Sequence, residues 1–322
     1  MTNDKLREEY RSKLRSADEA VRLVRSGDWV DYGSNNAMPF SLDAALAARR
    51  DELRGVKVRG NLTPGPIRVI ECDERMEHFV YNTWHCGAYE RRMCDAGRAF
   101  FTPMIVRNLD WYYRNFLTVD VAMISVSPMD GEGYFSLAGS VGASLPPVRT
   151  AKKLILEVNE AQPRIGGGPE TKVHISQADA IVEAGCRPLM QLPVPAPTET
   201  DERIARLILP HIPDGATLQL GIGGIPNILG SMIADSDIRD IGMHTELCSD
   251  AYLDLWRAGK LTNARKKLRP GVGIYGLAIG SRELYDWLDE NEEQQGAALC
   301  WVNDPAVIAS MDDMISINAC LN

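Results

Sequence analysis

No two of the chain's seven cysteines (72, 86, 94, 186, 248, 300 and 320) stand in a C-x-x-C spacing. Their odd number and wide scatter exclude a disulfide framework and a zinc cluster, and leave reduced thiols in a cytosolic protein as the expectation. The opening MTNDKLREEYRSKLRS mixes acids with bases and has no apolar core, which excludes a secretory signal and speaks against a transit peptide. Unbroken hydrophobic runs are also missing. The uncharged stretch 218–234 is interrupted by glycines and Pro226 and carries Asn227 and Ser231, so it is expected as a buried strand, loop and helix rather than a membrane span. A basic excess is absent: 44 acidic residues face 35 basic ones, a net charge of −9. Without a net basic field a nucleic-acid partner is not expected, although a local basic pocket for one anion remains open. There is no G-x-S-x-G, no GKS or GKT and no H-E-x-x-H, so serine hydrolases with a nucleophile elbow, P-loop NTPases and zinc proteases receive no support.

What is present is 322 residues, 45% apolar and 25% charged. That length suits two α/β domains better than one, and the composition excludes disorder, collagen and coiled coil as global answers. Strand-like and helix-like segments alternate throughout, which favours parallel sheets covered by helices. A helix through Leu6, Tyr10, Leu14, Val21 and Val24 is expected to close at Gly27. Strand 29–32 then leads into the loop Gly33-Ser34-Asn35-Asn36 and a helix over 41–54. Strands follow at 56–62 and 119–126, with a turn at Asp130-Gly131-Glu132-Gly133. A further strand, 153–159, runs into Gly166-Gly167-Gly168-Pro169.

The segment 187–202, RPLMQLPVPAPTETDE, holds four prolines. Such a composition favours an extended conformation and cannot continue a helix. It divides the chain into a first α/β domain at 1–187, a linker at 188–200 and a second α/β domain at 201–322. The second half restarts the alternation, with helices expected at 201–210, 225–235, 249–258, 281–290 and 304–310. Its strands are expected at 216–221, 240–244, 272–278 and 314–319. No internal sequence repeat is visible.

Two segments carry chemistry. In LQLGIGGIPN (218–227) a β-run ends at Leu220, Gly221, Gly223 and Gly224 remove Cβ atoms from a tight turn, and Pro226 suits a first helical turn. Such a turn offers backbone N–H groups beside a helix N-terminus, a place for a phosphate or a developing oxyanion. A purely structural strand-to-helix turn fits the same residues. A dinucleotide fingerprint would need glycine where this chain has Pro226, which demotes that reading even though Glu246 could imitate its ribose-binding acid.

The second segment is GMHTELCSDAYLDLWRAGKLTN (242–263). A strand is expected to end near His244 and Ser249 to cap a helix closed by Gly259, which places Glu246 in a loop at the carboxyl end of a strand. An ionised, partly desolvated carboxylate there is a candidate nucleophile toward an activated acyl group. The alternative is an acid that only complements the adjacent helix dipole. His244 invites a base role, but local packing is the commoner use of such a histidine. Arg265, Lys266, Lys267 and Arg269 form a basic cluster that suits a solvated surface better than a nucleotide phosphate. The aromatic run at 111–113 is expected to pack between elements.

With these residues in hand, the chain resembles the acetyl-CoA hydrolase/transferase family over essentially its whole length, and most of all the butyryl-CoA:acetate and 4-hydroxybutyrate CoA-transferases within it. The stretches that carry the resemblance are GDWVDYG (27–33), SPMDGEGYFS (127–136), EVNEAQPR (157–164), LQLGIGGIPN (218–227), GMHTELCSDA (242–251) and WVNDPAVIASMDDMISIN (301–318). The resemblance implies two related open α/β domains with an active site between them. It places the catalytic glutamate of the family's H-[ST]-E motif on Glu246, and the family's coenzyme A loop on Gly221, Ile222, Gly223, Gly224 and Ile225. Coenzyme A and its acyl thioester are then substrates, with no permanently bound cofactor and no metal. The expected partners are an acyl-CoA and a small carboxylate, with no nucleic acid and no membrane, in a homo-oligomer. The family continues into a further glycine-rich Gly-Gly-Gln segment, so the second domain is expected to be truncated, with a missing C-terminal segment or a partner chain completing the site. Acyl-CoA hydrolysis by the same glutamate, a non-catalytic CoA-binding subunit and a nucleotide-dependent oxidoreductase stand as the other readings.

Overall fold

A computed structural model describes residues 3–191 and 196–318. The middle of the expected linker (192–195), Cys320 and Ala319 of the expected last strand lie outside the described residues. The chain divides into two compact units, Met1–Arg164 with Pro169–Met190, and Ile165–Gly168 with Gln191–Asn322.

In the first unit the apolar runs become strands β1 (Trp29–Ser34), β2 (Val56–Asn61), β3 (Phe79–Thr83), β4 (Phe100–Phe101), β5 (Val121–Val126), β7 (Lys153–Val158) and β9 (Ala180–Glu183) of one sheet. Strands β6 (Tyr134–Ser136) and β8 (Lys172–His174) form a separate antiparallel ribbon. The order in the sheet is β4-β3-β2-β1-β5-β7-β9 and its pairings are parallel. The covering helices are α1 (Asn3–Lys13), α2 (Ala17–Ala20), α3 (Phe40–Ala48), α4 (Arg68–Glu71), α5 (Ala88–Asp95), α6 (Leu109–Asn115) and α7 (Val141–Thr150). The core joins Val30, Tyr32, Val58, Leu42, Leu46 and Ile155. Strands such as Val121–Val126 are buried at every position, as a sheet covered on both faces requires.

The second unit contains β10 (Thr217–Leu220), β11 (Gly242–Cys248), β12 (Gly273–Ala278), β13 (Gln294–Gly296) and β14 (Met314–Ile317). Its helices are α8 (Glu199–Ile208), α9 (Gly224–Asp235), α10 (Asp250–Arg257), α11 (Arg282–Leu288), α12 (Leu299–Val302) and α13 (Pro305–Ala309). The parallel order β13-β12-β11-β10-β14 repeats the arrangement β4-β3-β2-β1-β5 of the first unit. In each unit the chain starts at an inner strand, steps outward three times and then returns to that strand's other side. The order therefore reverses beside β1 and beside β10, and ligands of open α/β sheets bind at such reversals, beyond the carboxyl ends of the strands. Among the described residues no helix is long and apolar enough to cross a membrane.

Three local expectations change. The opening helix stops at Lys13, because Ser16 Oγ accepts from the Glu19 N–H while the Glu19 carboxylate accepts from the Ser16 N–H, and this capping box starts a new helix. Strand 240–244 extends to Cys248, because Leu247 and Cys248 pair with Leu277 and Ala278 of β12. Lys266 leaves the expected solvated cluster. It is 4% exposed, and its ammonium donates to the carbonyls of Met243, at 2.7 Å, and Val272.

Buried titratable groups give the two units opposite pH responses. Glu157 of β7 accepts the Leu42 N–H at 2.9 Å in the first turn of α3, and burial raises its pKa from 4.5 to about 7. Asp43, which accepts from the Arg68 N–H and the Tyr32 hydroxyl, is raised by burial to about 6. Both folded values exceed the unfolded ones, so the folded first unit holds extra protons and loses stability as pH rises from about 4 to about 7. Burial lowers Lys266 from 10.5 to about 7. There the unfolded chain holds the extra proton, so the second unit gains stability as pH rises from about 7 to about 10. Thermal unfolding followed across this range is expected to show the first trend flattened by Glu157→Gln and the second flattened by Lys266→Met.

Candidate active site

The glycine loop follows β10 at the reversal point of the second unit. Gly223 has φ of +122°, a conformation closed to side-chain-bearing residues at low cost, and serves as the N-cap of α9. A Cβ on Gly224 would stand 2.7 Å from a carboxylate oxygen of Asp201. Among the described residues no side chain caps α9, so its first backbone N–H groups remain directed out of the helix end. Ile222 at the tip is 50% exposed. The loop's base is fixed: the Gly221 N–H donates to the Ile317 carbonyl of β14 at 3.0 Å. The buried Tyr252 hydroxyl accepts from the Leu220 N–H at 2.9 Å and donates to the Leu218 carbonyl at 3.1 Å.

Glu246 stands within β11, where the sequence reading puts it in a loop beyond the strand. It nevertheless lies close to the glycine loop, because β11 is the neighbour of β10. Thr245 secures the junction: its Oγ1 donates to the Leu220 carbonyl, one residue before Gly221, at 3.3 Å. The side chain of Glu246 is half-buried, and Asn303 donates its amide to Oε2 at 2.7 Å. Among the described residues Glu246 forms no ion pair, so one neutral donor holds one carboxylate oxygen and leaves the other free of a charged partner. That is a suitable state for a nucleophile, since a tight guanidinium or ammonium partner would draw down its reactivity.

His244 is packed into the interior of the unit, the setting of a structural histidine. It is 1% exposed, its Nε2 lies 3.0 Å from the Val302 carbonyl, and burial lowers its pKa. Ser249 takes the N-cap position of α10 but makes no capping bond, and its hydroxyl is buried without a partner. Of the basic cluster, Arg265 and Lys267 are exposed and paired with Asp240 and Asp312, and Arg269 lies over the Trp301 ring at 5.2 Å. Asn303 is the residue the motif reading missed. It lies inside the quoted stretch WVNDPAVIASMDDMISIN, but only the packing of α12 onto β11 reveals its partner.

At the reversal point of the first unit the expected loop Gly33-Ser34-Asn35-Asn36 starts later than its sequence suggests: Gly33 and Ser34 still belong to β1, where Ser34 pairs with Asn61 of β2, and Asn35 and Asn36 open a short helical turn, Asn35–Ala37. Asn35 adopts φ of +55° and is 1% exposed, and among the described residues neither its amide nitrogen nor its amide oxygen has a partner. The hydroxyls of Ser140 and Ser144 are likewise buried and unpartnered, and a Cβ on Gly33 would stand 2.9 Å from Ser144 Oγ. The Gly33 N–H is already taken by the Asp31 carboxylate at 2.9 Å, which removes it as an oxyanion donor within this loop.

Residues 1–190 match the model of the acetyl-CoA hydrolase/transferase N-terminal domain, and residues 280–322 match that of the C-terminal domain. The chain is 44% identical over 314 residues to a butyryl-CoA:acetate CoA-transferase of Anaerostipes caccae, covering 97% of this chain and 70% of that protein. It is 32% identical over 313 residues to a 4-hydroxybutyrate coenzyme A transferase of Clostridium kluyveri, covering 97% and 72%. Among solved structures, RipA from Yersinia pestis superposes with a TM-score of 0.89 at 32% identity, over 97% of this chain and 74% of that one.

Proposed function

The chain belongs to the acetyl-CoA hydrolase/transferase family and is an enzyme of the CoA-transferase type, and from that premise we propose that it exchanges coenzyme A between a short-chain acyl-CoA, butyryl-CoA foremost, and a carboxylate such as acetate, with Glu246 as nucleophile. The observation that carries the reading is the carboxylate of Glu246, held by Asn303 and, among the described residues, by no cation, on the strand beside the glycine loop that opens α9.

The chemistry is carboxylate exchange. A Glu246 oxygen attacks the thioester carbonyl, the C–S bond breaks, and coenzyme A leaves as thiolate from an acyl-glutamyl anhydride. The thiolate attacks the glutamyl carbonyl of that anhydride, a C–O bond breaks, and the first acid departs as its carboxylate. The enzyme then carries a glutamyl-CoA thioester. Acetate reverses both steps, leaving as acetyl-CoA and regenerating Glu246. One thioester replaces another, so no ATP is needed, and the covalent intermediate requires ping-pong kinetics. Gly221, Ile222, Gly223, Gly224 and Ile225 are the proposed coenzyme A loop, and its free N–H groups are the first choice for the oxyanion of each tetrahedral intermediate. The Gly33–Asn35 loop is the second choice, through Ser34 and Asn35. The family resemblance also leads us to expect a cytoplasmic homo-oligomer.

The test is direct. Protein incubated with butyryl-CoA is digested and examined by mass spectrometry for coenzyme A on the peptide that contains Glu246. Adduct formation followed by release of acetyl-CoA on adding acetate supports transfer. An adduct that yields free coenzyme A whether or not acetate is present means hydrolysis, and active protein without an adduct means the covalent route is wrong.

A further inference from the structure

His244 and Glu246 are two residues apart on β11, whose pairing with β12 keeps one register from His244 to Cys248. They therefore leave the same face of the strand. Both meet the end of the four-residue helix α12. His244 Nε2 lies 3.0 Å from the carbonyl of Val302, the last helical residue, and Asn303, the next residue and C-cap, donates to Glu246 at 2.7 Å. We infer that His244 is a positioning residue, which fixes the end of α12 so that Asn303 can hold Glu246 in its attacking orientation. The inference rests on Glu246 being the nucleophile.

The hydrogen-bond chemistry leaves one arrangement. The Val302 carbonyl can only accept, so Nε2 carries the proton and donates. Burial, assisted by the Lys266 ammonium, lowers the pKa of the imidazole against the opposing pull of the Val302 bond. Among the described residues its Nδ1 has no partner, and the ring's one hydrogen bond is the one to α12.

That bond matters because α12 is too short to hold itself. A helix of one turn leaves its final carbonyls without intrahelical donors and gains nothing from cooperativity. Its C-terminal end is placed by what it touches. The ring of Trp301 packs edge-on against His244 with centroids 5.4 Å apart, while Arg269 covers Trp301. Val302 itself is buried with Ile274 and Ala297 in the local core. Apolar contact fixes how closely α12 lies against the sheet, but it is not directional. The Asn303 N–H holds one edge of the Val302–Asn303 peptide on the Leu299 carbonyl at 2.9 Å, and the His244 bond holds its carbonyl at the other edge, so the two together set the direction in which the Asn303 side chain leaves.

A double-mutant cycle in the full chain tests this. Asn303→Ala and His244→Phe are each expected to lower kcat by about 10- to 100-fold, with KM for butyryl-CoA changed by less than about twofold. If His244 works only through Asn303, the double variant is no slower than Asn303→Ala alone. His244→Gln places an amide donor near the position of Nε2 and is expected to restore most of the activity, whereas His244→Asn is too short and stays slow. The last pair keeps the test decisive even if His244→Phe does not fold. Losses that multiply in the double variant, or Gln and Asn substitutions of equal activity, overturn the inference. Undiminished turnover in Glu246→Gln is a separate result, because it removes the nucleophile assignment itself.

Discussion

Glu246→Gln is expected to lower the transfer of coenzyme A from butyryl-CoA to acetate by about 10⁴-fold or more, the scale of loss seen when a covalent nucleophile is removed. The substitution keeps the shape of the side chain and an oxygen to accept from Asn303, so fold and coenzyme A binding should persist. It removes the anionic oxygen that forms the anhydride, and a neutral amide does not replace it. Freshly purified protein is required, since slow deamidation would regenerate glutamate and appear as rising activity. Circular dichroism and calorimetric titration with coenzyme A check fold and binding. A variant that binds, folds and turns over at more than a hundredth of the parental rate would leave Glu246 as no more than a polar neighbour of the glycine loop.

How far the sequence reveals this site depends on the range of the interactions that build it. The glycine loop is legible because its signal is local: an apolar run stops at Leu220, and the next residues adopt backbone conformations that their composition announces. Glu246 is legible as a residue but not in its setting. The sequence pattern ends the strand near His244 and starts a helix at Ser249, whereas pairing of Leu247 and Cys248 with β12 holds the chain extended in between. Asn303 was out of reach, because its contact spans 57 residues and depends on one turn of helix lying on one face of β11. Lys266 misleads for a related reason. Among Arg265, Lys267 and Arg269 it has the composition of a surface patch, and only the backbone carbonyls of β11 and the residue before β12 make burial tolerable.

At the level of the fold, β1, β5, β7 and β12 are visible as apolar runs. The short β13, Gln294–Gly296, has no such pattern and is a strand only because β12 offers it an edge. The repeated order of the two sheets also left no trace in sequence, since strand order constrains connectivity and not residue identity. It still has a consequence. Each unit builds its reversal-point turn at the end of an inner strand, Gly33-Ser34-Asn35-Asn36 spanning the end of β1 in one and Gly221-Ile222-Gly223-Gly224 following β10 in the other. The same architecture thus yields a tight polar loop with orphaned buried donors in one unit and an uncapped helix end in the other.

The first of those loops depends on a buried ion pair whose loss should be the largest stability effect in the first unit. Asp31 of β1 is 1% exposed and Arg59 of β2 is 5% exposed, with guanidinium and carboxylate 3.2 Å apart. The arginine also stacks on the rings of Trp29 and Tyr113, and the Tyr113 hydroxyl donates to Asp31 at 2.5 Å. The other oxygen of Asp31 accepts the Gly33 N–H, so the pair is tied to the start of the loop. Tyr113, expected from the sequence only to pack between elements, thus completes a polar network. Arg59→Met keeps most of the stem but strands the carboxylate in the core, and removal of one partner of such a pair costs about 3–5 kcal/mol. Urea unfolding should show a loss of that size in the transition of the first unit. Adding Asp31→Asn removes the stranded charge and is expected to recover at least half of it, because the penalty lies in the unpaired ion rather than in the missing attraction. A loss below about 1 kcal/mol, the range of exposed pairs, would mean that water reaches Asp31 and that the loop does not rest on this network.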